Sequence, residues 1–508
     1  MPAPPDRAKR GPLTVALMLA TMMISIDTTI ANVALPHMQG SVSASQDQIT
    51  WVLTSYIVAT AIATPLTGWL SYRIGRKSLF LVSIAGFTVA SMLCGVATSL
   101  FEIVLFRLLQ GVFGAAVMPL SQAVVLDTYR QEELGRVMSL WGMGAMLGPI
   151  SGPLVGGWLT DNFSWRWVFF INLPIGLLAL VAIWAFMSND SRPRGRAFDF
   201  VGYAALVLFI GGLQLMLDRG PTQDWFSSPE IVAEAIVAGL GLYLFIVQML
   251  TADQPFFDPS LARDWNFVSC NLFAFLIASV LFSTMSLQPP LMQNLMGYSV
   301  MGAGLIMMPR GVGTFVAMFV VGRVLGRLDI RVIIITGLMA LAIAFFQMSH
   351  FDLSMSEGPF FTSGLFQGFG VGFVFVPLSV VAFANVAPAV RADGTTIFTL
   401  VRSIGSSIGI ALMQAVHTRQ AAVSHADLAA EVQPSNPVMT AGLPAWMSPG
   451  SPLGLQALNR EITRQAEMVA YVDVFRLMLI LTIAVMPMLF LMRRPANGPR
   501  PMRGGALR

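Results

Sequence analysis

Charge and cysteine are what this sequence has least of. Only 11% of its 508 residues are Asp, Glu, Lys or Arg, against about 25% in a soluble globular chain, so an ordinary water-facing surface is excluded. The two cysteines, Cys94 and Cys270, both fall inside apolar runs, which argues against a disulfide framework or a thiolate metal site. The four histidines, His37, His350, His417 and His425, are expected at span ends or in outer loops, solvated and without metal-ligand spacing. A zinc-binding helix motif and a phosphate-binding glycine loop are missing, and no nucleophile elbow is expected. An enzyme and an ATP-driven machine are both disfavoured, and no cofactor is implied.

What the chain does have is apolar length. Hydrophobic residues make up 55% and mean hydropathy is +0.71. Runs of about 20 residues, enough for about 30 Å of hydrocarbon, recur from end to end. They lie near 13–35, 50–70, 79–98, 101–125, 137–159, 166–187 and 199–217, then 230–251, 267–287, 301–325, 331–350, 359–384, 397–417 and 471–492. The expectation is an all-α polytopic membrane protein of fourteen spans. The first run follows Arg7, Lys9 and Arg10 but is too long for a signal peptide and reads as a retained span.

The net charge of +4 says less than where the charges sit, and nucleic acid is not a partner it points to. With the N-terminus inside, the inside segments hold Arg73, Arg76, Lys77, Arg130, Arg136, Arg192, Arg194, Arg196, Arg263, Arg323, Arg327, Arg331, Arg391 and the tail from Arg493. Outside loops hold only Arg166, Arg219, Arg419, Arg460 and Arg464. The positive-inside rule therefore predicts two cytoplasmic termini and an even span count.

A short repeat marks the loops after spans two and ten. Gly68 precedes Arg73 by five positions, and Gly322 precedes Arg327 by five. Two related six-span halves, 1–190 and 263–492, with two inserted spans in 191–262, place both copies equivalently. Residues 418–470 read as an outer loop with a short amphipathic helix from Leu453, and 493–508 as a basic cytoplasmic tail.

Five motifs follow in order. Span one carries Asp27-Thr28-Thr29-Ile30-Ala31-Asn32-Val33-Ala34-Leu35-Pro36, and the next loop runs from Gly68 to Lys77. Span four carries Arg107-Leu108-Leu109-Gln110-Gly111, span five the glycine run from Gly144 to Gly157, and span six opens on Trp165 to Gly176. In this order they resemble the fourteen-span drug:proton antiporter family of the major facilitator superfamily, EmrB/QacA type, over nearly the whole chain. The resemblance implies the major facilitator fold and export of amphipathic drug-like compounds by alternating access. It also implies a bacterial inner membrane, a unit that needs one chain, and for double-membraned bacteria a periplasmic adaptor and outer-membrane channel. A dedicated carrier of a metabolite such as an organic acid, sugar derivative or siderophore shares every motif but that of span five. A receptor or scaffold would not need Asp27.

Several residues carry expected roles. Asp27 lies about 12 Å from the outer end of span one and Arg107 about 9 Å from that of span four, counted at 1.5 Å per residue, so they can meet. A carboxylate in hydrocarbon points to proton coupling; a static ion pair is the alternative. Glu102 reads more as a solvated end residue than as a second proton site. Gly144, Gly148, Gly152 and Gly156 recur at intervals of four, with Pro149 and Gly157 beside them. That is a packing face by composition, and the resemblance makes it the mark of antiporters. Gly68, Arg73, Gly75, Arg76 and Lys77 form a basic loop that in the family gates the cytoplasmic side, with Tyr72 standing where relatives often carry aspartate. Asn32, Gln110, Arg310 and Arg402 are cavity candidates. With no carboxylate in mid-span from span nine onward, the two arginines tilt the expectation toward neutral, zwitterionic or acidic substrates, or else pair with helix carbonyls.

Overall fold

In hydrocarbon each backbone N–H and C=O must be met within its own segment, so these apolar runs can only be helices. A computed structural model describes residues 7–188, 197–432, 444–447 and 451–492. The membrane helices are α1 (Arg7–Ser41), α2 (Trp51–Ala63 bent by 58° into Leu66–Ile74), α3 (Arg76–Val96), α4 (Leu100–Gly114 continued as Val117–Thr128) and α5 (Gln131–Asn162). Next come α6 (Asn172–Phe186), α7 (Phe200–Arg219), α8 (Pro229–Thr251), α9 (Trp265–Pro290) and α10 (Val300–Val324). The set closes with α11 (Ile330–Met348), α12 (Gly358–Ala382), α13 (Arg391–Ala430) and α14 (Pro452–Val485). Twelve described spans are long and apolar enough to cross a membrane, and the bent α2 is a thirteenth. α5 is diluted by glycine, but its 32 residues reach about 48 Å, and it makes fourteen.

Polar caps set where helices begin. Ser99, Asp199, Asp264, Ser299, Asp329 and Ser451 each accept a bond from a first-turn N–H of α4, α7, α9, α10, α11 and α14. These are donors that lipid could not meet. Gly75 and Gly326 make the sharp turns after α2 and α10 at φ +86° and +96°, a region open to glycine at little cost.

α1 packs along α5 and α6, α10 along α12, α9 along α13, and α5 along α10. The last pairing spans much of the bundle: Gly135 faces Leu325, Gly142 faces Met318, and Gly311 faces Ile150. The α7–α8 pair is peripheral. Only 17% of the apolar stretch of α8 is buried, against 72% for α12, so α8 turns most of its surface to lipid. α7 bridges two neighbours, with the Tyr203 hydroxyl donating to the Ile62 carbonyl of α2 at 3.2 Å and the Ser407 hydroxyl of α13 donating to Gln214 Oε1 at 2.9 Å.

Three expectations change. The segment from Gly68 is helical up to Ile74, so the loop is little more than Gly75. The outer loop 418–470 is in large part helix, because α13 runs on to Ala430 and the helix expected from Leu453 is the start of α14 at Pro452; a 3-10 turn, Ala445–Met447, lies between them. These two ends pair as an antiparallel hairpin, through Gln420 and Asp473 at 3.1 Å and His425 and Asn459 at 3.1 Å. At 40 residues α13 is about 60 Å long, twice the thickness of the hydrocarbon. Polar composition hid these helices because they leave the lipid. For the same reason His417 is not solvated: its ring lies 4.1 Å from that of Tyr471. Part of the loop, the basic segment at Arg192, Arg194 and Arg196, and the tail 493–508 lie outside the described residues.

Candidate functional site

The sequence-predicted pair meets in the interior. Asp27 is 0% exposed and Arg107 1%, and Arg107 Nη1 lies 2.7 Å from Asp27 Oδ2. Two amides complete the carboxylate's shell, Gln110 Nε2 at 2.8 Å and Asn172 Nδ2 at 2.7 Å, both donating to Asp27 Oδ1. Arg107 also donates to Gln110 Oε1 at 2.8 Å and, through Nε, to the Val52 carbonyl of α2 at 3.1 Å. Its guanidinium sits 4.3 Å from the Tyr56 ring centre and 5.7 Å from that of Phe169, a stacking that stabilises a dehydrated cation. Asn172 is held in turn by Ser91 at 2.9 Å. Residues of α1, α2, α3, α4 and α6 thus converge on one carboxylate.

Local sequence explains the approach. Gly111 lets α4 lie against α2, where a Cβ would come within 2.6 Å of the Tyr56 carbonyl oxygen. The glycine run does the same for α1 and α5. A Cβ on Gly148 would overlap the Ser25 main chain and one on Gly152 the Thr29 hydroxyl, while Gly156 would meet Ile30 at 2.7 Å and Gly144 Met18 at 3.2 Å. Ser25 and Thr29 use that closeness to donate to the carbonyls of Ala145 and Gly148, at 2.5 and 3.0 Å. Gly157 has ordinary room, its nearest neighbour at 4.0 Å, and Pro149 lies within unbroken α5.

Other candidates fall elsewhere. Glu102 accepts from the Thr98 N–H and hydroxyl at 2.7 and 3.0 Å, capping the start of its own helix. Asn32 is exposed, beyond the cluster on α1. Arg310 and Arg402 line a pocket between α5, α9, α10, α12 and α13. Gly405-Ser406-Ser407-Ile408-Gly409 has the spacing of a nucleophile elbow, contrary to expectation, but it lies inside α13, where Gly405 and Gly409 let Phe275 and Ser279 of α9 approach. An elbow needs a strand-to-helix turn, so the match is a packing feature.

The basic segment around Gly75 joins distant parts of the chain. Arg76 and Arg391 both pair with Asp127, the latter at 2.6 Å, and the Tyr72 hydroxyl donates to the Ala389 carbonyl. A Cβ on Gly68 would overlap the Asp393 carboxylate at the start of α13. Lys77 donates to the Trp184 carbonyl at 2.8 Å, and Arg73 is exposed. Sequence reasoning missed Asn172, Ser91, Asp127 and Asp393. Asn172 lay inside a quoted motif, and its amide in an apolar run was the available signal.

A profile described as Major Facilitator Superfamily matches residues 17–410. The chain belongs to that superfamily, and within it to the drug:proton antiporter branch. It is 38% identical to "Multidrug export protein EmrB" of Escherichia coli (strain K12) over 84% of this chain and 83% of that one. It is 33% identical to "Fatty acid resistance protein FarB" of Neisseria gonorrhoeae over 95% and 96%. Among solved structures it is similar to the human organic anion transporter MFSD10, with a TM-score of 0.60 at 15% identity, covering 94% of this chain and all of that one. As a major facilitator protein this chain is a multi-pass membrane transporter and not an enzyme. The fold has the all-helical form expected of it.

Proposed function

We propose that the protein is a proton-coupled antiporter that exports amphipathic drug-like compounds across the bacterial cytoplasmic membrane by alternating access. The observation that carries this reading is the buried Asp27, which accepts from Arg107, Gln110 and Asn172 with no solvent contact. Arg107 ties that carboxylate to α4, so whatever alters the pair acts on the position of α4. The names of the relatives, among them "Multidrug export protein EmrB", support drug-like cargo.

α5 connects proton and cargo. One side of it rests on Ser25 and Thr29, flanking Asp27, and residues Met146, Ile150 and Pro153 line the pocket. A compound that moves α5 therefore moves α1 at the carboxylate. On the positive-inside reading the face with Arg76, Asp127 and Arg391 is cytoplasmic. Ties across it then belong to an outward-facing state, with Asp127 in the place of the missing aspartate at Tyr72. The chain's two halves rock about the pocket. The same proposal gives the paired ends of α13 and α14 to the periplasm, where an adaptor and outer-membrane channel would be met, and needs one chain for transport.

Reconstitution in liposomes with an internal pH dye and an imposed proton gradient tests this, using lipophilic cations, neutral antibiotics and acidic amphiphiles. Substrate-dependent proton release that disappears in Asp27→Asn is expected. Proton flux unchanged by that substitution removes Asp27 from the mechanism. Flux with a single metabolite class and none of the drugs makes the protein a dedicated carrier.

A further inference from the structure

The pocket between α5, α9, α10, α12 and α13 contains two cations, and no Asp or Glu is found among the described residues that line it. Its walls are apolar and adaptable, with Met146, Ile150, Phe282, Met307 and Phe375 among them. Arg310 is only 9% exposed, and its Nη1 meets no hydrogen-bond partner. Arg402 lies with its guanidinium 5.3 Å from the Phe375 ring centre. A guanidinium carries five donors and stays charged at any physiological pH, so burial without an anion is costly.

The backbone holds Arg310 in that position. A Cβ on Gly368 of α12 would overlap the Arg310 carbonyl, and Gly364 lies 3.5 Å from the Arg310 nitrogen by the same measure. α12 thus lies against the Arg310 main chain with glycines, which have no side chain that could pair with the guanidinium.

We propose that this pocket receives a lipophilic monoanion, with its carboxylate or sulfonate on Arg310, Arg402 as the second positive charge, and its apolar body against the Met, Ile and Phe walls. Two uncompensated cations in an apolar enclosure favour one incoming negative charge and oppose a lipophilic cation. This names the cargo class of the exporter reading and rests on it.

The matched probes are 8-anilinonaphthalene-1-sulfonate and N-phenyl-1-naphthylamine, which share their rings and differ by the sulfonate. Transport of each into proteoliposomes under a proton gradient is compared for wild type, R310Q, R310K and R402Q. R310Q is expected to lower sulfonate transport relative to the neutral amine by about tenfold or more, because a charge-assisted bond is lost from an apolar site. R310K retains a larger share of the ratio, and R402Q, at the more exposed arginine, shifts it in the same direction by less. A loss that falls equally on both probes, or wild-type transport of the amine without the sulfonate, overturns the proposal. If wild type moves neither probe, the wider panel decides the exporter reading, and sulfonate binding in the same vesicles decides the pocket. Binding that depends on Arg310 upholds it, and binding indifferent to Arg310 overturns it.

Discussion

Two buried arginines in this protein live in opposite conditions. Arg107 has a carboxylate at 2.7 Å, an amide oxygen, a backbone carbonyl and the face of Tyr56. Arg310 has a Nη1 that meets nothing. A cluster in which the carboxylate accepts three donors is internally satisfied, each member holding the next. An unpaired cation in an apolar wall is left unsatisfied, the condition that the proposed anion would relieve. On the proposed reading the Asp27 cluster handles the proton and the arginine-lined pocket the cargo, and α5 touches both.

The largest effect should come from breaking the satisfied side. Asp27→Asn keeps the shape and leaves a buried cation without its counter-charge, which costs about 3–5 kcal/mol. Substrate-driven proton flux should fall by about 100-fold, with a lowered Tm in detergent. The double variant Asp27→Asn with Arg107→Gln should regain much of the Tm and none of the flux. Flux that returns along with Tm would make the pair a structural tie and nothing more.

Next in size is the link between the two sites. Gly148→Ala places a methyl group on the Ser25 main chain, and overpacking of this kind costs about 1–3 kcal/mol. Gly157→Ala adds the same methyl with its nearest neighbour at 4.0 Å. The first should lower transport about tenfold and the second by less than about twofold, as read by initial export rates at matched protein levels. Equal effects would mean that the approach of α5 to α1 does not transmit anything.

What the sequence made legible was whatever hydrophobicity or a motif marks. Fourteen apolar runs, the meeting of Asp27 with Arg107, and the glycine face of α5 could all be read because lipid makes polar residues conspicuous and glycine permits contact. Asn172 completes the Asp27 shell, and its amide in an apolar run was a signal, but one weaker than a charge because an uncharged amide there also reads as a helix cap. The long ends of α13 and α14 were misread as loop because their polar surfaces face water, where hydropathy gives no sign of helix. The ties of Asp127 to Arg76 and Arg391 join residues 51 and 264 positions apart, and no local pattern encodes such a meeting.

Those ties allow a finer comparison, between the face of the bundle they close and the Asp27 cluster. Asp127 has 22% of its side chain exposed and its arginine partners 19% and 21%. Water screens the network, and each pair is worth about 1 kcal/mol or less. Asp127→Asn should leave Tm nearly unchanged while shifting the balance of the two access states by about fivefold, seen as a new distance population between spin labels at exposed Arg73 and Leu328. The shift should shrink in high salt, as a screened surface network requires. Glu102→Gln stands at the bottom of the scale: the carboxylate only caps its own helix end, so transport and its pH profile should change by less than about twofold. A large change in the pH profile would give Glu102 a part in proton entry and make the N-terminal end of α4 continuous with the Asp27 cluster.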